Sequence, residues 1–77
     1  MKDFLIEKID EIAFSTVEPD DKLWESEILD SITVVELAVE IENEYSIKIP
    51  FDEIVVENFE TVNLLIKYIT NKLETNA

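Results

Sequence analysis

Three segments of the chain place apolar residues at intervals of three and four, the spacing that collects them on one side of an α-helix. These segments are residues 3–14, residues 31–45 and the stretch that follows Thr61. A chain of 77 residues can build one hydrophobic core and not two. The pattern therefore predicts one all-α domain that covers residues 1–77.

The charge balance is strongly acidic, with 19 Asp and Glu against 6 Lys and Arg and a formal net charge of -13. A surface of this charge repels phosphates, so nucleic acid is not an expected partner and basic protein surfaces are. Charged residues interrupt the first segment, "MKDFLIEKIDEIAF", which therefore lacks the apolar run of a signal peptide. No run approaches the roughly 20 apolar residues of a membrane span. We expect a cytoplasmic protein.

Several catalytic chemistries are excluded by residue types that the chain lacks. It has no histidine and no cysteine, which removes the usual general base near neutral pH and the common nucleophilic arrangements. It has no glycine, which removes the loops that cradle phosphates. No segment has the ligand spacing of a calcium-binding EF-hand. We therefore expect a protein that is not an enzyme and holds no metal.

A long connection separates the first two helical segments. Residues 15–29 mix Pro19, acidic residues and isolated apolar residues without a helical or strand period. A loop of this length is unusual in so small a domain and indicates a structural or functional role. The side chains expected to turn inward are Leu23, Trp24, Ile28 and Leu29.

The segment before the last helix is ambiguous. Ile54 and Val55 are β-branched and would suit a strand, but we interpret residues 51–60 as a short helix. Thr61 is placed to cap the helix that follows. The two helical segments 3–14 and 31–45, the short helix and the helix after Thr61 together predict a four-helix bundle. The apolar stripe of the last helix is expected at Val62, Leu65, Ile66, Ile69 and Leu73.

The second helix carries two apolar stripes, although a small soluble bundle needs one per helix. At 100° per residue the wider stripe is the expected core face. The narrower one, Ile32, Val35 and Val39, lies about 130° away on the same geometry. Either a neighbouring element covers this strip, or it is an exposed docking surface. The core face is Val34, Leu37, Ala38, Ile41 and Tyr45, and the strip is bordered by Glu36, Glu42 and Asn43.

Ser31 stands at the head of the second helix, where a serine usually caps the helix. Asp30 can serve as the cap instead and leave the Ser31 hydroxyl free. Without a histidine to activate it, this hydroxyl would have to be modified by another enzyme. A phosphate ester there would meet the positive end of the helix dipole and free N–H groups. Both interpretations of Ser31 remain open on position alone.

The stretch "LDSITVVELAVEIENEYSIKIP" resembles the motif of acyl carrier proteins, and "VENFETVNLLIKYI" resembles their closing segment. The resemblance covers residues 23–73 and implies the four-helix bundle of that family, with a long loop between helices one and two and a short third helix. It implies that Ser31 bears a covalent 4'-phosphopantetheine, added from coenzyme A by a phosphopantetheinyl transferase. It further implies a monomeric carrier of thioester-bound cargo.

The resemblance also implies a docking surface for partner enzymes with basic patches, among them enzymes that load or use the cargo. The acids that would meet those patches are Asp30, Glu36 and Glu42. The apolar contacts beside them would come from the strip of Ile32, Val35 and Val39.

The cargo is less defined than the carrier role. An acyl cargo for fatty-acid or polyketide-type biosynthesis is the leading interpretation, and a D-alanyl or other aminoacyl cargo is the alternative. Thr33 and Asn43 stand where many fatty-acid carriers have acids, and the "ILDS" and "ENFETV" features are similar to stand-alone carriers of specialised pathways and to D-alanyl carrier proteins. For an acyl cargo, we expect the short helix with Ile54 and Val55 to be a movable wall. Outside the family, the chain would be an unmodified acidic interaction module.

Overall fold

The computed structural model describes residues 1–75, so the predicted domain of residues 1–77 reaches two residues beyond it. Within the described part the fold is all-α, without strands, which confirms the predicted fold class. None of the helices there combines the length and the apolar character that a membrane crossing requires. The four helices are α1 (Lys2–Ala13), α2 (Thr33–Tyr45), α3 (Val56–Phe59) and α4 (Val62–Thr75), and a 3₁₀ turn occupies Phe51–Glu53.

Helix α1 packs against α2 and α4 through its apolar side. Leu5 and Ile9 are fully buried there, as the sequence predicts. The helix ends where Phe14 adopts the left-handed conformation, with φ 56°, and donates its N–H to the carbonyl of Asp10. Glycine usually occupies such a position because it has no Cβ, and this chain contains none. Residues that carry a Cβ must therefore make its left-handed turns, here Phe14.

Helix α2 contributes four buried residues to the core. Its helical span begins at Thr33 rather than at the predicted Ser31, and it ends at Tyr45, as expected. Ser46 closes it in the left-handed conformation, with φ 54°. The predicted core face is confirmed: Tyr45 is half-buried, and the fully or nearly fully buried residues are Val34, Leu37, Ala38 and Ile41.

The predicted short helix over residues 51–60 is wrong in its extent. Two short helical pieces form instead, the 3₁₀ turn Phe51–Glu53 and helix α3. Ile54 and Val55 lie between them outside any helix, and Val55 is extended with φ -130° and ψ 162°. Branching at Cβ disfavours helical geometry at both positions. The hypothesis of a movable helical wall that contains Ile54 and Val55 therefore does not fit this structure.

The long connection between α1 and α2 packs onto the rest of the domain. Leu23 and Leu29 are buried, and Trp24 and Ile28 are half-buried, which confirms the predicted inward set. Glu60 holds the loop from the junction of α3 and α4. Its carbonyl accepts the Leu23 N–H at 2.7 Å, and its Oε1 accepts the Trp24 N–H at 3.0 Å. A single glutamate thus anchors the middle of the loop with main-chain and side-chain oxygens.

Thr61 caps α4, as predicted, because its Oγ1 accepts the N–H of Leu64 at 3.1 Å. The predicted apolar stripe of α4 is wrong at Leu73, whose side chain remains 38% exposed near the end of the helix. It lies a turn beyond the last buried residue of the helix, past the reach of the packed core. The rest of the stripe faces inward, with Ile66 half-buried and Val62, Leu65 and Ile69 fully buried.

A polar cluster joins the 3₁₀ turn to α4. Glu53 Oε1 accepts the Tyr68 hydroxyl and lies 2.8 Å from Lys72 Nζ. The contacts from Lys72 and then Tyr68 lower the pKa of Glu53 below its ordinary value of 4.5. Burial, followed by the hydrogen bond to Glu53, raises the pKa of Tyr68. The ionised Glu53 therefore holds the segment that leads into α3 against α4.

Replacing Glu53 by Gln is expected to lower the melting temperature at pH 7, because the ionised carboxylate and its two contacts are lost. A lowered pKa in the folded state stabilises the protein above pH 4.5, and this contribution disappears as the pH falls through the folded-state value. The difference in melting temperature between wild type and Glu53→Gln should therefore decrease from pH 7 to pH 3, as measured by thermal melts followed by circular dichroism.

Glu57→Gln is the matched control, because it removes the same charge from the exposed surface of neighbouring α3. Its effect should be smaller than that of Glu53→Gln at pH 7. A gap for Glu53→Gln that stays constant across this pH range would contradict the role given to the carboxylate.

Candidate functional site

The start of α2 is organised by the side chain of Asp30. Its Oδ1 accepts the N–H of Ile32 at 2.9 Å and the N–H of Thr33 at 2.8 Å. The carbonyl of Asp30 accepts the N–H of Val34 at 3.0 Å, which is already an α-helical bond. The carboxylate thus satisfies donors that a helix start leaves unpaired, so Asp30 acts as the N-cap.

Thr33 completes the cap from the helix side. Its Oγ1 accepts the N–H of Asp30 at 2.8 Å, in return for the bond that its own N–H donates to Asp30. This exchange has the form of a capping box, with threonine in the place where glutamate or glutamine is usual. The sequence interpretation missed this role of Thr33. A hydroxyl three residues after a capping aspartate was the signal for it.

The hydrogen bonds to Asp30 favour its ionised form. The N–H of Thr33, the N–H of Ile32 and the Thr33 hydroxyl lower the pKa of the Asp30 carboxyl below its ordinary value. Asp30 is therefore a charged, occupied acceptor near neutral pH and a weak base. Its negative charge also lies at the helix end where the dipole stabilises it.

Ser31 lies between these two partners but takes no part in the cap. Its side chain is exposed, and within residues 1–75 its hydroxyl makes no hydrogen bond with another group of the protein. The N–H groups of Ile32, Thr33 and Val34 all donate to Asp30. The expectation of free N–H groups for a phosphate on Ser31 is therefore wrong at these three positions. A phosphodiester on Ser31 would extend into solvent.

The second apolar strip of α2 is exposed. Ile32 is 68% exposed, Val35 36% and Val39 46%. No neighbouring element covers the strip within the part of the chain that the structure describes, so the first of the two interpretations is wrong. A row of exposed β-branched side chains that begins beside Ser31 is the kind of surface that binds another protein.

The predicted acids have different surroundings. Asp30 and Glu36 are exposed at the start of α2 and in its first turn. Glu42 is half-buried, and its Oε2 accepts the N–H of Ile49 at 2.8 Å, which holds the segment after α2 against the helix. Asp30 and Glu42 therefore both have structural contacts, whereas Glu36 is exposed and its side chain makes no hydrogen bond or ion pair within residues 1–75.

Comparison with known proteins identifies the family. The model of a family described as "Phosphopantetheine attachment site" matches residues 5–69. The chain belongs to this family. The sequence-based resemblance is thereby confirmed, and membership implies a covalently attached 4'-phosphopantetheine group. The chain is therefore a carrier protein of this family, and the exposed Ser31 hydroxyl fits the attachment of such a group.

Similar proteins include the D-alanyl carrier proteins of three streptococci. The D-alanyl carrier protein of Streptococcus gordonii is 35% identical over 68 residues, which is 86% of each chain. That of Streptococcus sanguinis is 34% identical over 68 residues, again 86% of each chain. That of Streptococcus uberis is 42% identical over 48 residues, 62% of this chain and 61% of the relative.

Ser31→Ala is expected to leave the free energy of unfolding within about 1 kcal/mol of the wild-type value, because the cap is made by Asp30 and Thr33. Asp30→Ala should lower the melting temperature by several degrees. Asp30→Asn is the matched control, because asparagine keeps an oxygen that can accept the same N–H groups. Thermal and urea melts of the three variants measure how much Asp30 and Ser31 each contribute to stability. A Ser31→Ala variant as unstable as Asp30→Ala would contradict it.

Proposed function

We propose that this protein carries an acyl or aminoacyl cargo on a 4'-phosphopantetheine group attached to Ser31, and that it is a carrier and not an enzyme. The observation that supports Ser31 most directly is the cap at Asp30. Because Asp30 and Thr33 satisfy the helix start between them, the exposed Ser31 hydroxyl can be esterified without loss of a structural contact.

Ser31 Oγ is the acceptor in the attachment step. A phosphopantetheinyl transferase forms a bond between this oxygen and the pantetheine-bearing phosphorus of coenzyme A. The P–O–P bond of the pyrophosphate breaks, and adenosine 3',5'-bisphosphate leaves. The proton of the hydroxyl must go to a base of the transferase. The chain has no histidine or cysteine, and the lowered pKa of Asp30 makes that carboxylate a poor base. This explains why a carrier of this composition depends on a second protein for its modification.

The attached group supplies a flexible arm that ends in a thiol, and the thiol binds the cargo as a thioester. The folded domain has three tasks in this scheme. It presents Ser31 at a rigid helix start, it offers a surface to partner enzymes, and it keeps the cargo at high local concentration near whichever partner is bound. The chain's own side chains do not need to react.

The partner surface in this proposal consists of the apolar strip of α2 and the acids around it. Exposed apolar side chains provide affinity, and acids attract and orient partners with basic patches. The partners would be the transferase and the enzymes that load and use the cargo. We place the protein in the cytoplasm as a monomer, where coenzyme A and such enzymes occur. The residues of this surface are Asp30, Ile32, Val35, Glu36, Val39 and Glu42.

For the cargo we propose a D-alanyl or related aminoacyl group in place of the fatty-acyl or polyketide cargo that the motif first favoured. All three relatives above are named D-alanyl carrier proteins. The packing supports the same choice. A long acyl chain gains stability from burial in an apolar cavity, whereas D-alanine has one methyl group and a charged amine. The centre of the core is filled by fully buried side chains, among them Leu37, Ile41, Phe59 and Leu65.

Attachment can be tested by intact mass spectrometry. After incubation with coenzyme A, Mg²⁺ and a broad-specificity phosphopantetheinyl transferase, the wild-type protein should gain the mass of one phosphopantetheine group. Ser31→Ala should gain nothing, and Ser26→Ala, which changes an exposed serine in the preceding loop, should behave as wild type. A folded wild-type protein that gains no mass would favour the unmodified acidic interaction module.

The cargo can be tested on the modified protein. With ATP and a D-alanine-activating ligase, it should gain the mass of one D-alanyl group, and hydroxylamine should release that mass because thioesters are labile to it. The parallel reaction uses octanoate and an acyl-carrier synthetase. Loading with octanoate alone would contradict the D-alanyl proposal and restore the fatty-acyl one, and Ser31→Ala should stay unloaded in both reactions.

A further inference from the structure

Helices α1 and α2 run antiparallel, and two contacts define their register. The rings of Phe4 and Tyr45 are 5.7 Å apart, and Lys8 Nζ lies 3.6 Å from Glu40 Oε2. As the residue number rises by four on α1, it falls by five on α2. One more turn of α1 therefore brings Ile12 level with Val35 of the strip on α2.

An open groove of about 390 Å³ lies between the two helices at the level of Ile12. Ile12 forms the α1 side, and the exposed Val35 and Val39 form the α2 side. Glu36 and Glu40 line its polar edge. Val35 and Val39 of the apolar strip are thus one wall of a groove whose other wall is Ile12 of α1.

Lys8 brings a positive charge to this acidic edge. Its Nζ lies 3.5 Å from Glu11 Oε2 as well as 3.6 Å from Glu40 Oε2, and its side chain is 27% exposed. Glu40 is therefore already paired, whereas Glu36 makes no ion pair within residues 1–75. A basic side chain of a partner that reached Glu40 would have to compete with Lys8.

The distance from Ser31 indicates which partner this groove suits. Val35 and Val39 are four and eight residues after Ser31, about 6 Å and 12 Å along the helix axis at 1.5 Å per residue. An enzyme that acts on the Ser31 hydroxyl itself must bring its active site to that oxygen, so its surface reaches the groove. An enzyme that acts at the far end of the arm has no such requirement.

We infer that the phosphopantetheinyl transferase inserts an apolar side chain between Ile12 of α1 and the α2 strip, with a basic side chain directed to Glu36 and Glu40, and that Lys8 weakens this contact by neutralising Glu40. This inference rests on the proposed attachment at Ser31. It makes α1 part of the recognition surface, and it makes Lys8 a residue that limits affinity.

The test measures binding separately from modification. In a Ser31→Ala background, which cannot be modified, the dissociation constant for a purified broad-specificity transferase is measured by titration calorimetry. Lys8→Gln should tighten binding roughly two- to fivefold, the range of a surface ion pair, and should steepen its salt dependence. Ile12→Ala should weaken binding by about fivefold or more, as expected for a buried interface contact.

Each variant has a matched control on α4. Lys67→Gln removes the same charge from an exposed position, and Leu73→Ala removes a partly exposed apolar side chain. Both should leave the dissociation constant near the value of the Ser31→Ala parent. Because Ile12 also packs against the core, circular dichroism must show that Ile12→Ala is folded, and Lys8→Gln tests the inference without a change in the core.

The inference is overturned if Lys8→Gln binds no more tightly than Lys67→Gln, or if folded Ile12→Ala binds as well as Leu73→Ala. If either result is found and the protein with Ser31 intact still gains the phosphopantetheine mass, only the inferred binding at the groove is wrong and the proposed function stands. Failure of the unaltered protein to gain that mass overturns both.

Discussion

The carboxylate of Asp30 is the contact on which the candidate site depends. It holds the N–H groups of Ile32 and Thr33, and Thr33 returns a hydrogen bond to the Asp30 N–H. Because these bonds fix the helix start without Ser31, the exposed Ser31 hydroxyl is not needed for the cap and makes no hydrogen bond within residues 1–75. If the serine itself capped the helix, esterification would modify the same oxygen that accepts the backbone N–H and would disturb that hydrogen bond. Separation of the two roles between adjacent residues removes that conflict.

Carboxylates perform similar work elsewhere in the fold. Glu60 holds the long loop, Glu42 holds the segment after α2, and Glu53 holds the 3₁₀ turn against α4. Each links an irregular stretch to a helix by accepting an N–H or a hydroxyl, or by pairing with a lysine. Hydrogen bonds to charged acceptors are stronger than neutral ones. A chain with a net charge of -13 thus uses part of its acidity inside the fold and leaves the rest for its surface.

The remaining acids and the exposed strip form the partner surface of the proposed function. Glu36 stands open at the first turn of α2, while Glu40 is paired with Lys8 of α1. Acids that look equivalent in sequence therefore differ in the charge that they present. Fit to a basic partner depends on this distribution more than on the total charge, since exposed pairs cancel locally and distant charges are screened by salt.

The sequence by itself determined the helical fold, the core face of α2, the cap at Thr61 and the carrier family, because helical periodicity, capping residues and a motif at fixed spacing are local along the chain. It misjudged the extent of the short third helix and the inward position of Leu73. Only the tertiary structure decided that the strip of Ile32, Val35 and Val39 is exposed, and that Glu42 is bonded to the Ile49 N–H. It also decided that Lys8 of α1 forms an ion pair with Glu40 of α2. Exposure and ion pairing depend on which element packs against which, and residues far apart in the chain set that arrangement.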